Sequence, residues 1–284
     1  MAKGWTRLGL IAGGGALPVH VARAAEADGK LGCVIALDGF ADPADFNAPT
    51  KRSIGQYGHV IRDLRAAGCD AVCFAGIVTR PDFRSLIPDL EGAKLLPRLV
   101  AAAVKGDDAL LRAVVKAFED EGFAVIGADA LIDSLLAPEG VLGTVAPDET
   151  ATTDAAKAMQ IAASIGAMDI GQGAVVCDGL VLAVEAQEGT DAMLARVACL
   201  PEAVRGTADA RRGVLAKCPK PVQERRVDLP VVGVETVDGA ARAGLAGIAV
   251  EAGSAFIIGH EAVARAADAH GLFVIGLPGQ QTKP

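Results

Sequence analysis

The sequence predicts an α/β protein of two domains, and three observations carry that reading. At 284 residues the chain is long for a single core. Short apolar runs closed by glycine alternate with segments of helical periodicity, the pattern of βα units. A Pro- and Gly-rich stretch without periodicity, 137–149, interrupts the alternation near the middle. The expected layout is a Rossmann-like domain with a mostly parallel sheet (1–137), a linker (138–147), a mixed α/β domain (148–278) and a disordered tail (279–284).

Bulk properties exclude several classes. Just over half of the residues are apolar and aromatics are scarce, as in a compact fold packed with small side chains. A net charge of −8 argues against non-specific nucleic-acid binding and against a polybasic membrane anchor, though not against a local basic pocket. The six cysteines are scattered through apolar runs without ligand spacing and read as reduced core thiols. The N-terminal apolar run is too short for a signal peptide, and no segment approaches a membrane span. A soluble cytoplasmic protein is expected.

In chain order, Leu8 to Ala12 reads as a buried strand. It is followed by Gly13, Gly14 and Gly15 and by a helix from Leu17 to about Asp28, with Pro18 in the tolerated first turn. A strand, a glycine turn and a helix start can receive a phosphate on bare amides. Three readings stay open there: a phosphate or nucleotide contact, a tight structural turn, and a dinucleotide fingerprint weakened by Pro18 in the place of its third glycine. A strand at 32–37, a helix at 55–67 and a strand at 70–75 follow. The last runs into Gly76, Thr79 and Arg80, where α/β folds place ligand contacts, or where a turn exposes an arginine. Helices at 93–104 and 107–121, a strand at 123–126 and a short helix at 128–136 complete the first unit.

Beyond the linker, 153–165 is helical. Two strands flank Asp178-Gly179, a hairpin signal. The second strand reaches Glu185, Glu188 and Asp191, with a helix opening at Asp191 and Thr190 as its cap. Three carboxylates at such a junction suit Mg²⁺ when phosphates complete its shell, and they equally suit capping and solvation. Strands at 247–250, 255–258 and 272–275 and helices at 236–243 and 261–269 close the domain, with His260 and His270 read as cap or surface residues.

The stretch 217–233, KCPKPVQERRVDLPVVG, concentrates charge: Lys217, Lys220, Arg225 and Arg226 against Glu224 and Asp228, with Gln223 among them. Pro219, Pro221 and Pro230 rule against a helix, so the segment is expected to run extended. Glu224, Arg226 and Asp228 then share one side. Fully extended, Glu224 and Asp228 lie about 13 Å apart at roughly 3.3 Å per residue, too far to share one metal. The segment suits a polyanionic ligand, or else a proline-rich edge strand with a solvated face.

GLIAGGGALP, AGIVTRP, KGDDALL, MDIGQGAVV, VEAQEGTDAMLAR and KCPKPVQERRVDLPVVGVETV together resemble the LpxI-type UDP-2,3-diacylglucosamine pyrophosphatases of lipid A biosynthesis, from about Leu8 to Leu277. Glu224 departs from the family pattern, which carries Asp there. The resemblance implies hydrolysis of UDP-2,3-diacylglucosamine to 2,3-diacylglucosamine 1-phosphate (lipid X) and UMP, with water attacking the uridine-side phosphorus and Mg²⁺ or another divalent cation required. It implies Asp228 as the essential carboxylate, as base or metal ligand, with Glu188 and Asp191 as further metal ligands; the separation along an extended segment leaves Glu224 a supporting ion pair. Lys217, Lys220, Gln223, Gln172 and Thr190 would contact substrate from the second domain, and Gly14, Gly15, Gly76 and Thr79 from the first. It is compatible with peripheral attachment to the inner face of the inner membrane and with a homodimer. The alternatives are a nucleotide-binding regulatory protein without catalysis and an NAD(P)-dependent enzyme.

Overall fold

The computed structural model describes residues 4–220, 224 and 226–279. The chain divides into two compact units, the first comprising 1–133 with 224–228 and the second 134–223 with 229–284.

In the first unit, β1 (Leu8–Ala12), β2 (Leu31–Leu37), β3 (Thr50–Arg52), β4 (Ala71–Ala75) and β5 (Ala124–Val125) form an all-parallel sheet in the order β3-β2-β1-β4-β5. Helices α1 (Leu17–Ala27), α2 (Tyr57–Ala66), α3 (Leu90–Ala103) and α4 (Asp107–Asp120) make the connections. The order reverses between β1 and β4, so the loops leaving their carboxyl ends flank a crevice where such sheets take ligands. The core gathers Ile11, Ile35, Leu64 and Val72. Tyr57 and Phe74 both meet Phe118 edge-on, at centroid distances of 5.4 and 5.0 Å, the geometry their quadrupoles favour. The expected helix at 128–136 resolves into two 3₁₀ turns, Ala128–Ala130 and Asp133–Leu135.

In the second unit, β6 (Gly140–Leu142), α5 (Glu149–Ala167), β7 (Gly173–Cys177), β8 (Leu180–Val184), α6 (Gly189–Ala198) and β9 (Val214–Lys217) come first. They precede β10 (Val231–Val232), α7 (Val234–Arg242), β11 (Gly247–Glu251), β12 (Phe256–Ile257), α8 (His260–His270) and β13 (Phe273–Leu277). The main sheet runs β6-β13-β11-β9-β7-β8, with β9, β11 and β13 parallel, and β10 pairs with β12 in a separate ladder. Within the stretch expected to be a linker, β6 pairs antiparallel with β13. Three residues are too short for sequence periodicity to register. Of the expected tail, 280–284 lies outside the described residues.

The hairpin at Asp178-Gly179 forms with φ of 50° and 76°, the double left-handed turn that matches strand twist. Asp154 of α5, only 1 % exposed, accepts from both turn amides at 2.7 Å, which accounts for its burial. Thr190 does not cap α6, whose N-cap is Glu188, because its hydroxyl donates to Glu185 Oε1 instead.

Asp89 ties α2 to α3. It accepts from the Gly92, Gly58 and His59 amides and meets the His59 ring at 2.8 Å. Burial works to raise its pKa, but the Gly92 amide, the His59 ring and the other two amides outweigh it and bring the carboxyl down to about 2. Since an unfolded aspartate titrates near ~3.9, this stabilisation is complete at neutral pH and lost as pH falls through that value toward 2. Asp89→Asn should therefore lose stability at pH 7 and flatten the acid limb of the stability profile, read by urea unfolding at a series of pH values. An unchanged acid limb in the variant would exclude Asp89 as its source.

Candidate active site

At the crevice of the first unit the glycines serve backbone pairing before anything else. Gly13 N donates to Ala75 O at 2.8 Å, Gly14 N to Ile77 O at 2.9 Å, and Ile77 N to Gly14 O at 2.8 Å. Gly76 holds φ at 95°, and a Cβ there would stand 2.6 Å from both Gly14 O and the Pro18 ring. Two of the three amides expected to face a phosphate are thus engaged by the neighbouring loop. The room left for an anion lies from Gly15 to the first turn of α1, and that geometry disfavours the dinucleotide reading. Thr79 is exposed beyond the bridge, and Arg80 donates to Ala103 O at 2.7 Å, fastening the loop to the end of α3.

The segment 224–228 folds with this same unit. It is not extended throughout. Val227 N donates to Glu224 O at 3.0 Å, closing a turn, so the 13 Å separation expected of a straight strand does not apply. The cause is a set of charge-assisted bonds. Arg226 grips Glu224 through Nε and Nη2, both at 2.8 Å, and reaches Glu119 of α4 at 2.9 Å. The Glu224 amide donates to Asp108 Oδ1 at 2.9 Å. Arg226 holds the Glu224 carboxyl below its ordinary range against the opposing effect of burial. The KGDDALL and QERRVD blocks, 116 residues apart at Asp108 and Glu224, meet here. Val227 packs against the first unit's core, and Asp228 follows it, half-buried.

In the second unit the site residues gather at the carboxyl edge of β9. Lys217 is 5 % exposed and donates to Val231 O at 3.1 Å. Lys220 meets Asp169 at 2.7 Å, and Asp169 itself adopts φ of 55°. The Gln172 carbonyl accepts from Cys218 N at 3.1 Å, while its side-chain Oε1 is buried with no hydrogen-bond partner among the described residues. Gln223 lies outside the described residues.

Glu188 pairs with Arg196 at 2.6 Å, and Asp191 is exposed in the first turn of α6. Among the described residues no three His, Cys, Asp or Glu side chains are grouped to hold a metal. Hard carboxylate donors of this kind fit a divalent ion that takes few protein ligands and completes its shell on phosphate and water. Three residues the sequence reading did not weigh as site members are Asp108, Asp169 and Glu119. Asp108 and Asp169 lie inside the KGDDALL and MDIGQGAVV blocks, whereas Glu119 lies in none of the blocks.

Two family models cover almost the whole chain: the LpxI N-terminal domain matches residues 7–135 and the LpxI C-terminal domain residues 138–275. A curated relative from Caulobacter vibrioides (strain ATCC 19089 / CIP 103742 / CB 15), named UDP-2,3-diacylglucosamine pyrophosphatase LpxI, is 57 % identical over 276 residues, spanning 97 % of this chain and 99 % of that protein. The chain belongs to the LpxI family. The first LpxI match contains the glycine crevice and the second contains Lys217 to Asp228, although the compact unit that includes 224–228 is the first.

Gly76→Ala should destabilise the β1–β4 crevice of this LpxI chain by about 1–3 kcal/mol through left-handed strain alone, with the clash added. Urea unfolding followed by the fluorescence of Trp5, the single tryptophan, measures it. Thr79→Ala, at an exposed position, should leave the midpoint in place. Equal midpoints for Gly76→Ala and wild type would show that the crevice tolerates a side chain.

Proposed function

We propose that the protein hydrolyses the pyrophosphate bond of UDP-2,3-diacylglucosamine, releasing 2,3-diacylglucosamine 1-phosphate and UMP, with water attacking the uridine-side phosphorus. The observation that carries this reading is the 57 % identity, nearly end to end, with a relative named for that activity. The local chemistry supports it. Lys217 and Lys220 supply cations for phosphate oxygens, and Gln172 brings a buried amide without a partner for its oxygen among the described residues. Gly15 and the start of α1 offer backbone amides from the first unit.

Asp228 is assigned the reaction. Its carboxylate orients the attacking water and accepts its proton as the oxygen bonds to phosphorus. The turn fixed by Arg226 and Glu224 positions the backbone that carries it. Asp228 would hold a divalent ion such as Mg²⁺, with phosphate and water completing the shell. When bound, that ion offsets charge on the phosphoryl oxygens and acidifies a coordinated water.

The diacylated substrate places the work at a membrane surface, with the protein attached peripherally from the cytoplasm. No helix among the described residues is long and apolar enough to cross a membrane. In the first unit Ile87, Leu90 and Val104 are 85, 73 and 83 % exposed, apolar surface that acyl chains or lipid could cover.

Turnover of UDP-2,3-diacylglucosamine with Mg²⁺ in ¹⁸O-labelled water should put the label in UMP. Label in the lipid product would reverse the regiochemistry, and no turnover would favour a binding protein without catalysis. Asp228→Ala should reduce turnover by at least about a thousandfold, the upper part of the range for losing a general base, while substrate binding persists. Near-normal turnover would remove Asp228 from the chemistry.

A further inference from the structure

Lys217, Gly173 and Glu185 lie side by side across β9, β7 and the end of β8. Lys217 and Gly173 are register partners, and Glu185 N donates to Gly173 O at 2.8 Å. The alternation of each strand puts both long side chains on the face that carries Leu215, Val175 and Ala183. Both are buried, Lys217 at 5 % and Glu185 at 6 % exposure. Glu185 Oε1 accepts from Thr190 at 2.7 Å, whereas Oε2 has no hydrogen-bond partner among the described residues. A Cβ on Gly173 would stand 2.7 Å from that Oε2, so the unpartnered oxygen lies over the glycine, between Glu185 and Lys217.

A buried acceptor left unpaired is costly, and more so when charged. It persists in a stable fold where a ligand supplies the missing donor. A second cation beside buried Lys217 would be repelled, so a neutral donor is the better complement. The Cα atoms of Glu185 and Lys217 are two strand spacings apart, about 9.6 Å, which suits a phosphate held by the lysine and a hydroxyl on the sugar attached to it.

We propose that Glu185 is a further ligand-contacting residue whose Oε2 accepts a hydrogen bond from a sugar hydroxyl next to the phosphate bound by Lys217. This rests on the pyrophosphatase reading for the identity of the ligand. The sugar is either the ribose or the glucosamine, and separate probes distinguish them.

Calorimetric binding of UMP, glucosamine 1-phosphate and inorganic pyrophosphate to the full chain tests the proposal. Glu185→Gln should weaken one of the two sugar phosphates by about tenfold or more, the size of one charge-assisted bond, and leave pyrophosphate unchanged. Gly173→Ala, which fills the space beside Oε2, should reproduce that selective loss should the glutamine variant fail to fold. Unchanged affinity for all three ligands overturns the proposal. So does an equal loss for pyrophosphate, which would make Glu185 a counter-charge that positions Lys217. A loss seen only with Mg²⁺ present would also overturn it, by making Glu185 a metal ligand, and so would wild-type protein that binds none of the probes. Wild-type protein that discriminates the probes yet fails to cleave UDP-2,3-diacylglucosamine would leave the proposal standing and remove the hydrolase reading.

Discussion

One guanidinium organises the segment that carries Asp228. Arg226 binds Glu224 with two parallel bonds and Glu119 with a third. At 39 % side-chain exposure its contribution is not mainly energetic, since exposed pairs are worth at most about 1 kcal/mol each. What the fork adds is direction. A bidentate pair fixes both position and rotation, and it does so one residue before Val227 enters the core and two before Asp228. Lysine at 226 could neutralise the same charge but could not impose the same geometry.

The two units dispose of their polar groups differently. In the first, the loops after β1 and β4 pair with each other through Gly14 and Ile77, which fixes the crevice and consumes amides that could otherwise face a phosphate. In the second, buried Lys217 and Glu185 and half-buried Lys220 are matched locally at the carboxyl edge of a sheet: Lys217 with Val231 O, Glu185 with Thr190 and Lys220 with Asp169. Burial in a low-dielectric edge makes each match, and each omission, count for more than it would in water.

Most of the architecture was legible because its signals are local. Buried parallel strands read as apolar runs, the Asp178-Gly179 turn announced its hairpin, and glycines closed strands. What escaped had no local signal. The three-residue β3 and β6 are held by their partners rather than by periodicity. The turn at 224–227 depends on Glu119 and Asp108, more than a hundred residues away in sequence. The family blocks marked Asp228, Lys217 and Lys220, but the residues that hold them in place could be found only in three dimensions. Glu185 is the instructive case. It sits two residues after inward-facing Ala183, so strand alternation alone places a carboxylate inside, although by spacing it also groups with Glu188 and Asp191 as one acidic cluster.

The excursion of 224–228 has a consequence for how this chain could have been assembled. Five residues encoded within the second family domain complete the fold of the first. A gene cut at the boundary between the two family domains would leave Glu119 and Asp108 without Arg226 and the Glu224 amide, and would leave Val227 out of its core. The halves are therefore not interchangeable modules. Recombination with a foreign C-terminal half would have to bring a matching loop to complete the first unit.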